Sequence, residues 1–206
     1  MLKLIKKGIT MNKKGRGKLP VGEDCRFKRS ENTKERLSDT LKKLIRHMDY
    51  NAIGVSRIAR ESGMSRNSFY YHFASKEELV DYILERDLRK GTEKAYGNLI
   101  GWDSLVILCR TLYADHYFYK AISASSDSRK IQAIISPLIT KATGSIFHIP
   151  EKSSCSTLAV DSVMTAIIRW MEADNPRKPY DFLYNLRNEY LALAEGFMMQ
   201  PGSPVL

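Results

Sequence analysis

A chain of 206 residues, 43% of them hydrophobic, can bury a sizeable core as one large or two small domains. Its formal net charge of +10 is unevenly placed: residues 1–30 hold ten Lys and Arg side chains against Glu23 and Asp24, residues 31–90 carry a net +2, and the remainder balances at zero. A basic first segment implies a polyanionic partner at that end, and no apolar run reaches the roughly 18 residues of a membrane span.

Cys25, Cys109 and Cys155 are odd in number and never stand at a Cys-x-x-Cys spacing, so neither a disulfide framework nor a zinc site is expected and a reducing cytoplasm fits best. The start, Met1 to Thr10, lacks the uninterrupted apolar stretch of a secretion signal. Residues 1–31 mix Lys, Arg and Gly with little periodicity, which predicts a basic flexible tail, with either Met1 or Met11 as the initiator.

From Asn32 or Thr33, the spacing of Leu37, Leu41, Leu44, Ile45 and Met48 predicts a first helix with one buried stripe. Tyr50 to Gly54 break that pattern, and a short second helix follows with Ser56 as its N-cap and Ile58 and Ala59 facing inward. Gly63 can take the positive φ that ends this helix, and Ser65 can cap the next, so two helices meet at a sharp corner. The third helix is only about two turns long before Ala74-Ser75 offers a new cap. Phe69 and Phe73 share its inner face at i, i+4, leaving Asn67, Ser68, Tyr70 and Tyr71 outward and Arg66 in the first turn. A short helix with hydrogen-bonding and phosphate-seeking groups on its free side suits the DNA major groove, whereas packing alone would also accommodate a Tyr-Tyr pair. A fourth helix starts at Ser75 and buries Leu79, Tyr82, Ile83 and Leu88, with stop signals at Gly91 and Gly97.

From about Arg36 to Leu88 the chain resembles the DNA-binding domain of the TetR/AcrR family of bacterial transcription regulators. The resemblance is carried by Ile58-Ala59, Gly63-Met64-Ser65, Phe69-Tyr70-Tyr71-His72-Phe73 and Ser75-Lys76-Glu77-Glu78-Leu79. It implies a three-helix helix-turn-helix domain over 32–90 and a helical ligand-binding and dimerisation domain over 91–206. It further implies that Arg66, Asn67 and Tyr70 read base edges while Ser56, Ser68, Tyr71, His72 and Lys76 touch phosphate. Arg66 has the geometry for guanine and Asn67 for adenine. Trp102-Asp103 and Ile168-Arg169-Trp170-Met171-Glu172 are similar to regulators of the dihydroxyacetone kinase type.

The remainder reads as all-α, with helices over about Asp103–Ile122, Ser128–Phe147, Ser156–Ala173 and Tyr180–Met198. In the first of these, His116 continues the stripe Leu105, Cys109, Leu112 and Tyr119, so an imidazole stands where a buried residue is expected. Pro137 predicts either a kink with a free acceptor beside it or a helix start at Ser136-Pro137. Tyr113, His116, Tyr117, Phe147 and Trp170 are the candidate walls of a small-molecule effector site, with a hydrogen-bonded core histidine as the other reading of His116. In the last helix Phe182, Leu186, Tyr190, Leu193 and Phe197 recur at steps of four, four, three and four. In the preceding helix Ala159, Ser162 and Ala166 would allow close approach, so these two helices are the expected homodimer interface. No Gly-x-Ser-x-Gly elbow, phosphate-binding Gly loop or His-Glu-x-x-His helix is present, which argues against an enzyme and against a resident cofactor or metal. The expected function is a ligand-responsive repressor on a palindromic double-stranded DNA operator, the alternative being a DNA-bound activator whose C-terminal domain docks a partner protein.

Overall fold

The computed structural model describes residues 23–90, 101–125, 127–148 and 153–198, and no strand occurs among them. Most of the basic tail, the Gly91 and Gly97 stop signals, and the side chains of Cys155, Leu193 and Phe197 lie outside the described residues. Among the described residues, four helices form the N-terminal unit: α1 (Glu23–Ile45), α2 (Val55–Glu61), α3 (Arg66–His72) and α4 (Lys76–Leu84). Five form the C-terminal bundle: α5 (Trp102–Ala114), α6 (His116–Ser123), α7 (Ser128–Phe147), α8 (Ser154–Glu172) and α9 (Pro179–Met198).

α1 starts at Glu23 rather than at Asn32. Pro20 and Gly22 are the last helix-breaking residues before it and none lies between Glu23 and Ile45, so the helix extends backwards past a residue able to cap but not obliged to. Its Leu37, Leu41 and Ile45 are buried, as the stripe predicts. A single 3₁₀ turn, Tyr50–Ala52, follows, opened by the Asp49 carboxylate accepting from the Asn51 N–H at 2.6 Å. α2 is capped by Gly54, which leaves Ser56 in the first turn, exposed, instead of at the cap.

One apolar cluster runs from Leu37 on α1 to Leu186 on α9, so the two units share a continuous core. Between them a π-type turn, Glu85–Lys90, extends α4. The single helix expected over Asp103–Ile122 is broken at Asp115, which leaves helical geometry at φ −121°, ψ 40° and closes an ion pair with Lys42 of α1 at 2.5 Å. Leu105, Cys109, Leu112, His116 and Tyr119 nevertheless all stay buried, because α6 resumes on the same side of the core. Pro137 sits inside the continuous α7 rather than at the start of a new helix. No described helix is long and apolar enough to cross a membrane.

Candidate nucleic-acid interface

The corner between α2 and α3 is built by backbone satisfaction. Gly63 has φ +70°, a region that side chains with a Cβ enter only with strain. The conformation lets the Met64 N–H reach back to the Ala59 carbonyl at 2.8 Å and the Gly63 N–H to that of Arg60 at 3.0 Å. Arg36 of α1 donates to the Ser62 carbonyl at 2.8 Å and pins the corner to the first helix. Nothing local in the sequence marks Arg36 for this task, since its acceptor lies 26 positions along the chain.

Ser65 caps α3, its hydroxyl accepting from the Ser68 N–H at 3.1 Å, and Ser75 caps α4 by accepting from the Glu78 N–H at 3.3 Å. Glu78 reaches back to the Ala74 N–H, a box-like closure one residue off the usual position. Phe69 and Phe73 are 0% and 3% exposed and anchor α3 from beneath. Arg66, Asn67, Ser68, Tyr70 and Tyr71 are exposed, Tyr71 at 84%. Arg66 lies along its neighbour, with its guanidinium 5.8 Å from the Tyr70 ring and 3.4 Å from the Tyr70 hydroxyl. Asn67, Ser68, Tyr71 and His72 join Thr33 and Met64 around a recess of about 480 Å³.

His72 is half-buried, its ring edge-on to Tyr71 at 5.0 Å. Burial, and then the charge of Lys34, lower its pKa below 6.5, so near neutrality the imidazole is uncharged. Lys76 opens α4, where its ammonium donates to the Tyr50 carbonyl at 2.9 Å and rests over the Tyr50 ring at 3.9 Å. Six of the eight residues named from the sequence thus lie on α3, with Ser56 and Lys76 on the helices before and after it.

Four of the five candidate effector residues neighbour one another, and the fifth, Phe147, packs against α9. Tyr113 stacks on Trp170 at 6.2 Å, and Trp170 stacks in turn on Phe182 at 4.8 Å while its indole N–H donates to the Arg177 carbonyl. His116 is buried with Nε2 at 2.8 Å from the Met171 carbonyl, and Tyr117 edges its ring but is 56% exposed. Phe147 packs elsewhere, against Tyr190. A cleft of about 390 Å³ beside this group is lined by Trp170, Arg169, Arg177, Phe182 and Glu189, so of the five only Trp170 faces it. Among the described residues no three His, Cys, Asp or Glu side chains converge as metal ligands.

This fold and corner define an all-helical protein that presents a short, capped, polar-faced helix from a helix-turn-helix. Residues 37–83 match the family model described as bacterial regulatory proteins, tetR family. Over 97 residues the chain is 30% identical to the HTH-type dhaKLM operon transcriptional activator DhaS of Lactococcus lactis, covering 47% of this chain and 51% of that one. Over 96 residues it is 29% identical to the HTH-type transcriptional regulator QacR of Staphylococcus aureus, covering 47% of each. The matched stretch spans about half the length of these curated relatives. Two solved structures share the fold: the dihydroxyacetone kinase operon activator DhaS (TM-score 0.59, 21% identity, 78% of this chain and 95% of that one) and a TetR transcriptional regulator from Streptococcus agalactiae (0.59, 17%, 84% and 98%). The likeness to the tetR family lies over residues 37–83, the stretch that holds the helix-turn-helix.

Proposed function

We propose that this protein is a sequence-specific DNA-binding transcription regulator that places α3 in the major groove, and not an enzyme. The observation that carries the reading is the solvent face of α3, where Arg66, Asn67, Ser68, Tyr70 and Tyr71 stand exposed on a helix held rigid by two buried phenylalanines and a serine cap. Arg66, Asn67 and Tyr70 read base edges in this proposal, and Ser56, Ser68, Tyr71, His72 and Lys76 hold phosphate. The basic segment before Glu23 adds backbone contacts. Selection of bound duplexes from a random pool by the purified protein tests the reading, and an unenriched pool would reduce it to nonspecific binding.

On the selected site, Arg66→Ala is expected to lose about 1–3 kcal/mol of discrimination against a scrambled duplex. Titration of both duplexes at several salt concentrations measures it, and equal losses on the two would remove Arg66 from base reading.

The proposal extends to a homodimer on a palindromic operator, with α8 and α9 as the interface. The spacing of Phe182, Leu186 and Tyr190 predicts a stripe for that interface. Here those residues pack within their own subunit: Phe182 on Trp170, Leu186 in the core, and Tyr190 against Phe147 and the Ser162 hydroxyl. Among the described residues, Leu158, Tyr180, Tyr184 and Leu191 are the large apolar side chains these helices leave exposed, at 71%, 62%, 65% and 52%. A chain carrying both Leu158→Glu and Tyr184→Glu should therefore sediment as a monomer and lose operator affinity. A dimer that persisted and still bound the operator would place the interface elsewhere.

A ligand-responsive repressor is the leading form of the proposal, with the exposed edge of the Tyr113–Trp170 stack and His116 as the effector-sensing part. The activator reading is supported by the L. lactis relative, which is a transcriptional activator. The position of the selected site relative to the promoter separates the two.

A further inference from the structure

We propose that Tyr50 is a positioning residue for the phosphate-binding Lys76, and that Asp127 of the C-terminal bundle holds Tyr50 in place, so that displacement of the start of α7 weakens the grip of the reader on the DNA backbone. The inference rests on the reading of Lys76 as a phosphate contact. Lys76 is the first residue of α4, directly after the turn that follows α3. A lysine ammonium has three N–H donors on a flexible stem. One is spent on the Tyr50 carbonyl at 2.9 Å, and the ring beneath, 3.9 Å from Nζ to its centroid, holds the charge from a second direction. Two donors are left for phosphate, on a head ordered before DNA arrives, and prior ordering removes a cost from the binding step.

This cradle is only as firm as Tyr50. The residue is 6% exposed and follows α1 on a short 3₁₀ turn, and its hydroxyl donates to the Asp127 carboxylate at 3.2 Å. Burial and then the Asp127 charge raise the phenol's pKa, so it stays a neutral donor throughout the working range. Asp127, 7% exposed, directly precedes α7, and its second oxygen takes Lys130 at 3.1 Å. Lys130 also pairs with Asp81 of α4 at 2.6 Å. Two tethers therefore join the first turn of α7 to the reader, one to the middle of α4 through Lys130 and one to its first residue through Tyr50. A movement of that turn pulls on the middle of the helix and on its phosphate-binding end together.

The test measures affinity of the full chain for its selected operator and for a scrambled duplex across a salt series. Lys76→Gln is expected to weaken both duplexes alike and to flatten the salt slope by about 0.9. Tyr50→Phe keeps the ring and the carbonyl and removes only the tethering hydroxyl. It should lose about threefold to tenfold on both duplexes with a partly flattened slope, and Asp127→Ala should do the same. In the Lys76→Gln background neither change should cost anything further. A purely structural role for Tyr50 would subtract the same factor in both backgrounds, and that result overturns the proposal, as does wild-type affinity and slope in both Tyr50→Phe and Asp127→Ala. Lys76→Gln with undiminished binding also overturns it, and is distinguishable because it removes Lys76 itself from the DNA contact. Should Tyr50→Phe fail to fold, Asp127→Ala carries the same comparison.

Discussion

Lys42→Ala is expected to destabilise the protein by about 3 kcal/mol, at the low end of the roughly 3–5 kcal/mol that follows loss of one partner from a buried ion pair. The Lys42 side chain is 10% exposed and donates to two carboxylates that reach it from different parts of the chain, Asp87 at 2.6 Å and Asp115 at 2.5 Å. Its ammonium also lies 5.7 Å from the centre of the Phe118 ring. Asp87 keeps Arg86 at 2.6 Å when the lysine is gone, but Asp115 has no other cation among the described residues. The low end is chosen because the Asp115 side chain is 30% exposed and water relieves part of the penalty. Urea unfolding measures the loss. The triple variant that also carries Asp87→Asn and Asp115→Asn should recover most of it, since the cost lies in unpaired buried charge and not in the missing bond. A single variant within about half a kcal/mol of wild type would mean that water already screens the cluster.

The same cluster sets an acid limit. Burial pushes the Asp87 carboxyl up, but hydrogen bonds from Arg86 and Lys42 together with their charges outweigh it and leave the group below the ordinary 3.8. A carboxylate depressed in the folded state stabilises fully above its unfolded pKa and loses that contribution as pH falls through the folded value. The ion-paired contribution of Asp87 should therefore hold near neutrality and disappear below about pH 4. Asp87→Asn should flatten that part of the acid-unfolding profile.

Phe69→Ala should cost about 3–5 kcal/mol, the usual range for a fully buried phenylalanine. Phe69 is 0% exposed and contacts Phe73 at a ring distance of 5.9 Å and Tyr70 at 5.7 Å. Because it lies on α3 itself, truncation removes the support directly under the proposed reading face, so operator affinity should fall along with the melting temperature. Phe69→Leu, which keeps more of the volume, should recover part of both. Thermal unfolding and operator titration on the same preparations provide the check. An alanine variant that melted with wild type would show that α3 is held by its neighbours alone.

Much of this molecule was determined by the local order of residues. The i, i+4 pair Phe69 and Phe73, Gly63 at the corner and the caps Ser65 and Ser75 are short-range devices, each needing only a turn or two of chain to act. The orientation of α3 and the identity of its outward residues were therefore legible before any tertiary contact was known. The start of α1 was not, because a capping side chain permits a helix to begin without compelling it to, and nothing from Glu23 onward stops the helix. The break at Asp115 was not either, since the apolar stripe through Leu112, His116 and Tyr119 continues across it and the partner that Asp115 meets, Lys42, lies 73 residues away. Periodicity identifies which residues are buried but not against whom. That is why Phe182, Leu186 and Tyr190 read equally well as an interface and as the interior of one subunit; the structure buries Leu186 in the core and leaves Phe182 and Tyr190 partly exposed. The polar links between the two halves, among them Lys42 to Asp115, Tyr50 to Asp127 and Lys130 to Asp81, are single contacts between distant segments. Such a contact leaves no repeat in the sequence, so only the folded chain could bring its partners together.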